Sequence, residues 1–189
     1  MKKRTMAIMA LSCLVLSFIV SIGATFSAYK VAKEKVVVES VKIYASDGIR
    51  VVGKDGKAIT NLDIKSSSVG VRPATGEEDS STSIPTTVND SVGTEGAYAW
   101  FSLTSPSAYK ICLKSCWFEN GYEDNIENVR IAIMEKENKP VNGSNIGSVL
   151  ATGEAVTDEE VVVVIWLDKD TTKTIAGSKI KIEIEVQYQ

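Results

Sequence analysis

The sequence predicts an all-β domain, an antiparallel β-sandwich, preceded by an N-terminal hydrophobic signal or anchor helix. Three observations predict it. Apolar and polar residues alternate in segment after segment from residue 36 onward, the period of half-buried strands. No stretch after residue 35 offers a long amphipathic helix, and eight or so short strands with turn signals between them indicate stacked antiparallel sheets. The first 29 residues break this pattern altogether.

The leader is basic and then apolar. Lys2, Lys3 and Arg4 precede Thr5 to Tyr29, which carries no charge before Lys30. Such a run is long enough to cross a hydrocarbon core of about 30 Å as a helix, and the positive end marks the cytoplasmic side. Small residues at Ser21, Gly23, Ala24, Thr25, Ser27 and Ala28 suit a signal peptidase in several registers. Residues 1–29 are therefore expected to be a signal peptide or an uncleaved signal anchor, and residues 30–189 a single sandwich domain on the extracellular side or at the cell surface. Any membrane contact is expected only through residues 5–29. Ala10-Leu11-Ser12-Cys13 approaches a lipoprotein site, but Ala10 stands where a larger aliphatic residue is expected.

Strand by strand, Val36 to Tyr44 is rich in β-branched residues, and Ile49 to Val52 follows the Asp47-Gly48 turn signal. Lys54-Asp55-Gly56-Lys57 separates Val51-Val52 from Ala58-Ile59, a hairpin cue because Gly tolerates the positive φ of a tight turn. Leu62 to Lys65 and a short Val69-Gly70-Val71 follow. A polar stretch at about 72–96, rich in Ser, Thr, Gly, Glu and Asp and containing Pro73 and Pro85, reads as a long surface loop. Strands resume at Ala97 to Leu103 and Tyr109 to Phe118. Asn128 to Glu135 places Val129, Ile131 and Ile133 inward and Arg130 outward, and Val149 to Val156 suits a short edge strand.

Glu160 to Leu167 contains Val161-Val162-Val163-Val164-Ile165-Trp166, the continuous apolar run of a strand covered on both faces. In Lys179 to Tyr188, Ile180, Ile182, Ile184, Val186 and Tyr188 point one way and Lys181, Glu183, Glu185 and Gln187 the other. A slip of one residue would expose the whole apolar set, so this register is tightly specified.

Composition excludes several chemistries. The chain has no histidine, which removes Ser-His-Asp and Cys-His catalysis and histidine-based zinc sites. Neither a phosphate-binding P-loop nor a dinucleotide fingerprint occurs, so no cofactor and no catalytic residue is expected, and an enzyme is not the expected function. Without Lys2, Lys3 and Arg4, 18 basic residues face 24 acidic ones, and a surface near −6 repels nucleic-acid phosphates. Asp168-Lys169-Asp170 offers two alternating carboxylates, far fewer than the six to eight oxygens calcium takes, so Asp168 and Asp170 are weak metal candidates and a polar turn is the alternative. Glu77, Glu78 and Asp79 have a similarly weak claim on a cation.

Cys112 and Cys116 are the cysteines of the domain. Outside the cytoplasm two thiols tend to pair, yet four residues of extended strand span about 13 Å and a disulfide needs Cα atoms within about 7 Å. Either a bulge at Leu113-Lys114-Ser115 lets them bond, or both are buried free thiols.

Several pieces together resemble the camelysin/TasA-type exported bacterial proteins, which carry an alternate signal peptide handled by a dedicated signal peptidase. Gly23-Ala24-Thr25-Phe26-Ser27-Ala28-Tyr29 is similar to the small-then-aromatic end of those signals. Val163 to Asp170, then Ile175-Ala176-Gly177 and the Lys179 to Val186 strand, resembles their C-terminal pattern. The departures are Asp168-Lys169, where an acid-glycine pair is expected, and a leader without consecutive glycines; residues 36–125 lie outside the likeness. The resemblance implies a jelly-roll-like sandwich, secreted or held at the surface, in a group some of whose members build biofilm matrix fibres. Some members have been described as metalloproteases, an activity at odds with the missing histidines.

The expected function is thus an exported structural or interaction protein of the cell surface or extracellular matrix, with self-association or other surface proteins as partners. Val36, Val37 and Val38 are a candidate donor strand for a neighbouring copy; the alternative is that they form the first strand of their own domain. The second functional reading is a binding module for a small ligand or cell-wall glycan, with Trp100, Trp117, Tyr98 and Tyr122 as a stacking platform.

Overall fold

The computed structural model describes residues 36–65, 68–69, 96–119, 121, 123–134, 136, 139–168 and 177–189, all within the compact unit Lys35–Gln189. The expected leader at residues 1–29, most of the predicted 72–96 loop, Tyr122 and Asp170 lie outside the described residues. The described chain is all-β. In order it forms β1 (Val36–Ala45), β2 (Arg50–Val52), β3 (Asp63–Lys65), β4 (Ser68–Val69), β5 (Ala97–Ser105), β6 (Tyr109–Phe118), a 3-10 turn (Glu123–Asn128), β7 (Val129–Ile133), β8 (Val141–Asn142), β9 (Val149–Gly153), β10 (Val156–Leu167) and β11 (Lys179–Tyr188).

Two sheets share one core. Sheet A runs β4-β1-β11-β6-β9, and sheet B runs β2-β5-β10-β7-β8 with β3 also on β5. Ile180, Ile182, Ile184 and Val186 of β11 are fully buried between them, as their alternation requires. They meet Val161, Val163 and Ile165 of β10 and Phe101 and Leu103 of β5 in one apolar cluster. The apolar run of β10 is buried on both faces from Val163 onward, where Val164 and Trp166 are as inaccessible as Val163 and Ile165, while Val162 is half-buried.

The antiparallel expectation needs one correction. β1 lies parallel to β11, with Val41 opposite Ile182 and Ile43 opposite Ile184, because the first strand joins the sheet beside the last rather than through a hairpin. The other pairings are antiparallel. The Lys54–Lys57 turn does reverse the chain: Gly56 has φ +72°, Gly53 N–H donates to the Lys57 carbonyl, and Ala58 bridges back to Val52.

β10 begins four residues before the sequence pattern indicates, since its acidic start, Thr157-Asp158-Glu159, hides the strand. Val149–Gly153 is an edge strand of sheet A, three residues shorter than the expected Val149 to Val156 because Val156 opens β10.

Four bulges shape the sheets. One falls on β1 between Val38 and Ser40, a second on β6 between Leu113 and Ser115, a third on β10 between Val156 and Glu159, and the fourth on β9 at Leu150, opposite the Ile111–Cys112 step of β6. An extra residue reverses which side chains face inward. On β6 the buried series is accordingly Tyr109, Ile111 and Leu113 before Lys114, then Cys116 and Phe118 after it.

At one end of the core the Tyr109 hydroxyl donates to Glu159, which Lys136 also engages, so a side chain of sheet A is tied to one of sheet B. Burial, and then the bond to Glu159, hold the phenol above its ordinary value. A Cβ at Gly153 would collide with the Tyr109 ring. Gly153→Ala is expected to lower stability by about 1–3 kcal/mol through overpacking; urea unfolding followed by tryptophan fluorescence measures it.

Candidate functional site

Sheet B presents a cleft of about 330 Å³ on its outer face. Its floor is β5 and β10. From Trp100 onward the even-numbered residues of β5 turn away from the core, which points Trp100 and Ser102 outward, and pairing of Ser102 with Glu160 brings that carboxylate alongside. One wall is the turn after β2, where Gly53, Lys54 and Gly56 rise over the sheet. Exposed Lys54 leans across the cleft with its ammonium 4.3 Å from the centre of the Trp100 indole, within the range of a cation–π contact.

Asp158 forms the opposite wall. It sits in the β10 bulge with φ +52°, the one non-glycine residue at positive φ among the described residues. Aspartate tolerates this left-handed conformation better than most residues. Its carboxylate accepts from the Thr104 hydroxyl at 3.2 Å, and its N–H donates to the same oxygen at 3.1 Å, which pins the bulge to β5. The cleft therefore combines an aromatic face, two carboxylates and one ammonium.

The stacking platform expected from sequence is not assembled. Trp100 is half-buried at the cleft, but Tyr98 is buried, and Trp117 lies on β6 in the other sheet. Tyr122 lies outside the described residues.

Asp168 is not presented as a cation ligand. Its side chain is 3% exposed and its Oδ2 accepts from Arg130 Nη2 at 2.6 Å and Nε at 3.1 Å. Arg130 Nη1 also donates to the Glu127 carbonyl, so the guanidinium bridges the end of β10 to the 3-10 turn. The outward residue predicted on β7 meets the acid predicted for a turn because Trp166 stands opposite Arg130 and Asp168 is two residues further on. Asp170 lies outside the described residues, as do Glu77, Glu78 and Asp79. Among the described residues no three acidic or cysteine side chains group as a metal site would require.

Both thiols are free and buried in the structure. The bulge at Lys114 is present but does not bring them together; it turns Cys112 to the outer face of β6 and Cys116 to the core. Cys112 lies near the Gln187 amide, while Cys116 packs toward Gly143. Burial pushes the Cys116 thiol up to about 12, which removes its nucleophilic form at neutral pH.

Val36, Val37 and Val38 form the start of β1 and not a free segment. Val36 and Val38 are buried, and Val37 N–H donates to the Ser178 carbonyl. Within the described chain these residues lie in sheet A beside β11.

A charge network that the sequence does not single out lies on the outer face of sheet A. The β1 bulge places Glu39 between Lys179 at 2.8 Å and Lys181 at 3.1 Å, and Glu119 joins the same two lysines. The alternation in β11 shows that both lysines face outward, but only the register with β1 and β6 reveals their partners. No family model, curated protein or solved structure matches the chain. Among the described residues no helix is long and apolar enough to cross a membrane.

Two outcomes follow. Asp168→Ala leaves the Arg130 guanidinium without its carboxylate; roughly 3 kcal/mol should be lost, the lower end for breaking a buried pair because Arg130 retains 17% exposure. Replacing both by apolar residues of similar size should recover most of that loss in chemical denaturation.

The second concerns acid. Hydrogen bonds from Lys179 and then Lys181 hold Glu39 at about 2, below its ordinary 4.5, so its stabilising contribution is present above 4.5 and is lost as pH falls through about 2. Glu39→Gln should therefore lower the unfolding midpoint at pH 6 and leave it nearly unchanged near pH 2.

Proposed function

We propose that the chain is an exported structural or interaction protein of the cell surface or extracellular matrix, and that it associates with further copies through the open edge of sheet A. The observation that carries this reading is β9. It pairs with β6 on one side, and its other edge bears no strand among the described residues. Ile146 and Val149 stand 54% and 39% exposed beside that edge. An uncovered strand edge flanked by apolar side chains is a template for another chain, and folded proteins generally blunt such edges with charge.

The basic-then-apolar leader at Lys2 to Tyr29 supports export. The resemblance of both chain ends to the camelysin/TasA-type proteins supports a matrix role and a jelly-roll-like arrangement of the two sheets. No catalytic role is proposed.

A second reading is favoured by the cleft at Trp100, which has the size and the mixed aromatic and polar lining of a small-ligand site. On this reading the domain is a displayed binding module.

Recovery of the chain in culture medium or membrane fractions, and not in cytosol, is the expected location. Val149→Lys, with a circular dichroism spectrum like that of the parent, should abolish the oligomers that the parent forms in size-exclusion chromatography. Oligomers that persist in the variant refute association through β9.

A further inference from the structure

We propose that the cleft on sheet B is a binding site for small alkylammonium cations, whose aromatic wall is covered by the chain's own Lys54 acting as an internal occupant. The inference rests on the binding-module reading and names the ligand class.

The Lys54 ammonium already lies 4.3 Å from the Trp100 centroid, so the indole face accepts an ammonium at cation–π distance. A Lys side chain is an alkylammonium on a short stem; the cleft has therefore been fitted by the ligand class it is proposed to take.

The remaining lining favours positive charge over a neutral ring. With Lys54 swung aside, the described lining of the cleft carries the two carboxylates of Asp158 and Glu160. Asp158 commits one oxygen to Thr104, and Glu160 stands exposed at the rim beside Ser102. An ammonium over the indole would thus be drawn by the ring quadrupole and by two nearby acids, the combination that recognises organic cations. The acidic balance of the domain adds a long-range pull of the same sign. A neutral saccharide could stack on the indole, but it would have to displace the lysine without replacing its charge.

Lys54 is placed to exchange. It sits on a turn whose backbone is closed by Gly53 and Lys57 and by Gly56 and Gly53, so the loop need not unfold for the side chain to leave. The side chain is exposed, and an exposed cation–π contact is weak. Lys54 therefore lowers the affinity for an external cation without abolishing it.

The test is isothermal titration of the full chain and its variants with spermidine, tetramethylammonium and a neutral hexose, at two salt concentrations. The parent should bind spermidine and tetramethylammonium weakly and ignore the hexose. Lys54→Ala should tighten both amines about two- to five-fold, the gain from removing an exposed competitor. Glu160→Gln, a change at an exposed position, should weaken both and flatten the salt dependence. Trp100→Phe, checked for folding by circular dichroism, should weaken tetramethylammonium further.

Amine affinity unchanged or reduced in Lys54→Ala overturns the inference, and so does amine affinity unaffected by Glu160→Gln. Hexose binding in the absence of amine binding overturns the inference while the binding-module reading stands. No binding of any probe, by the parent or by Lys54→Ala, overturns both.

Discussion

The register of β11 is the constraint on which the rest of the domain depends, because this last strand is paired on both sides and supplies the centre of sheet A. On one side it runs parallel to β1, and on the other antiparallel to β6. Its four inward aliphatic residues exclude a slip of one position, which would send Ile180, Ile182, Ile184 and Val186 into water and draw Lys181, Glu183 and Glu185 into the core. The first and last strands are therefore neighbours, and sheet A closes only when the two ends of the domain have met. Contacts of that sequence separation carry a high loop-closure cost and characterise slowly folding β proteins.

Bulges on β1 and β6, the strands that flank this fixed element, and on β10 of the other sheet each place a charged residue at the irregular position. Glu39 on β1 is turned toward two lysines of β11. Lys114 on β6 lies 3.7 Å from Glu185 and 3.9 Å from the centre of the Tyr44 ring. Asp158 on β10 is held in a left-handed conformation by Thr104. A bulge leaves its extra residue outside the ladder, and a charged side chain at such a point remains solvated while the neighbouring apolar residues keep their facing. The two sandwich exteriors diverge as a result: the outer face of sheet A becomes a net of alternating charges, and sheet B acquires a cleft with an acidic wall.

The two proposed activities use different parts of the molecule. Association through β9 engages an edge of sheet A, whereas the cation cleft opens on the face of sheet B. A copy added at the edge need not cover the cleft, so a polymer of such subunits would display the cleft repeatedly. Weak individual binding would then be compensated by multivalency when several sites engage one polyvalent ligand.

What the residues alone determined was the set of strands with strong periodicity. Val36 to Tyr44, Ala97 to Leu103, Tyr109 to Phe118 and Lys179 to Tyr188 were legible because burial on one face imposes alternation, and β10 was legible as a two-sided strand because its apolar run has no polar partner residues. The Gly56 turn was legible because positive φ selects glycine.

Partnership was not legible. Nothing in the local pattern of Val36-Val37-Val38 shows that this strand lies parallel to the last one, and nothing in Asp168-Lys169-Asp170 shows that its first acid is already held by Arg130. The spacing of Cys112 and Cys116 gave no sign that a bulge would turn one thiol outward and the other into the core. The cleft was half visible, in that Trp100 could be named, but Lys54, Asp158 and Glu160 come from segments far apart in sequence. Alternation reports which face a side chain occupies, while the identity of its neighbour across a sheet depends on register and topology, and those are decided only when the strands pack together.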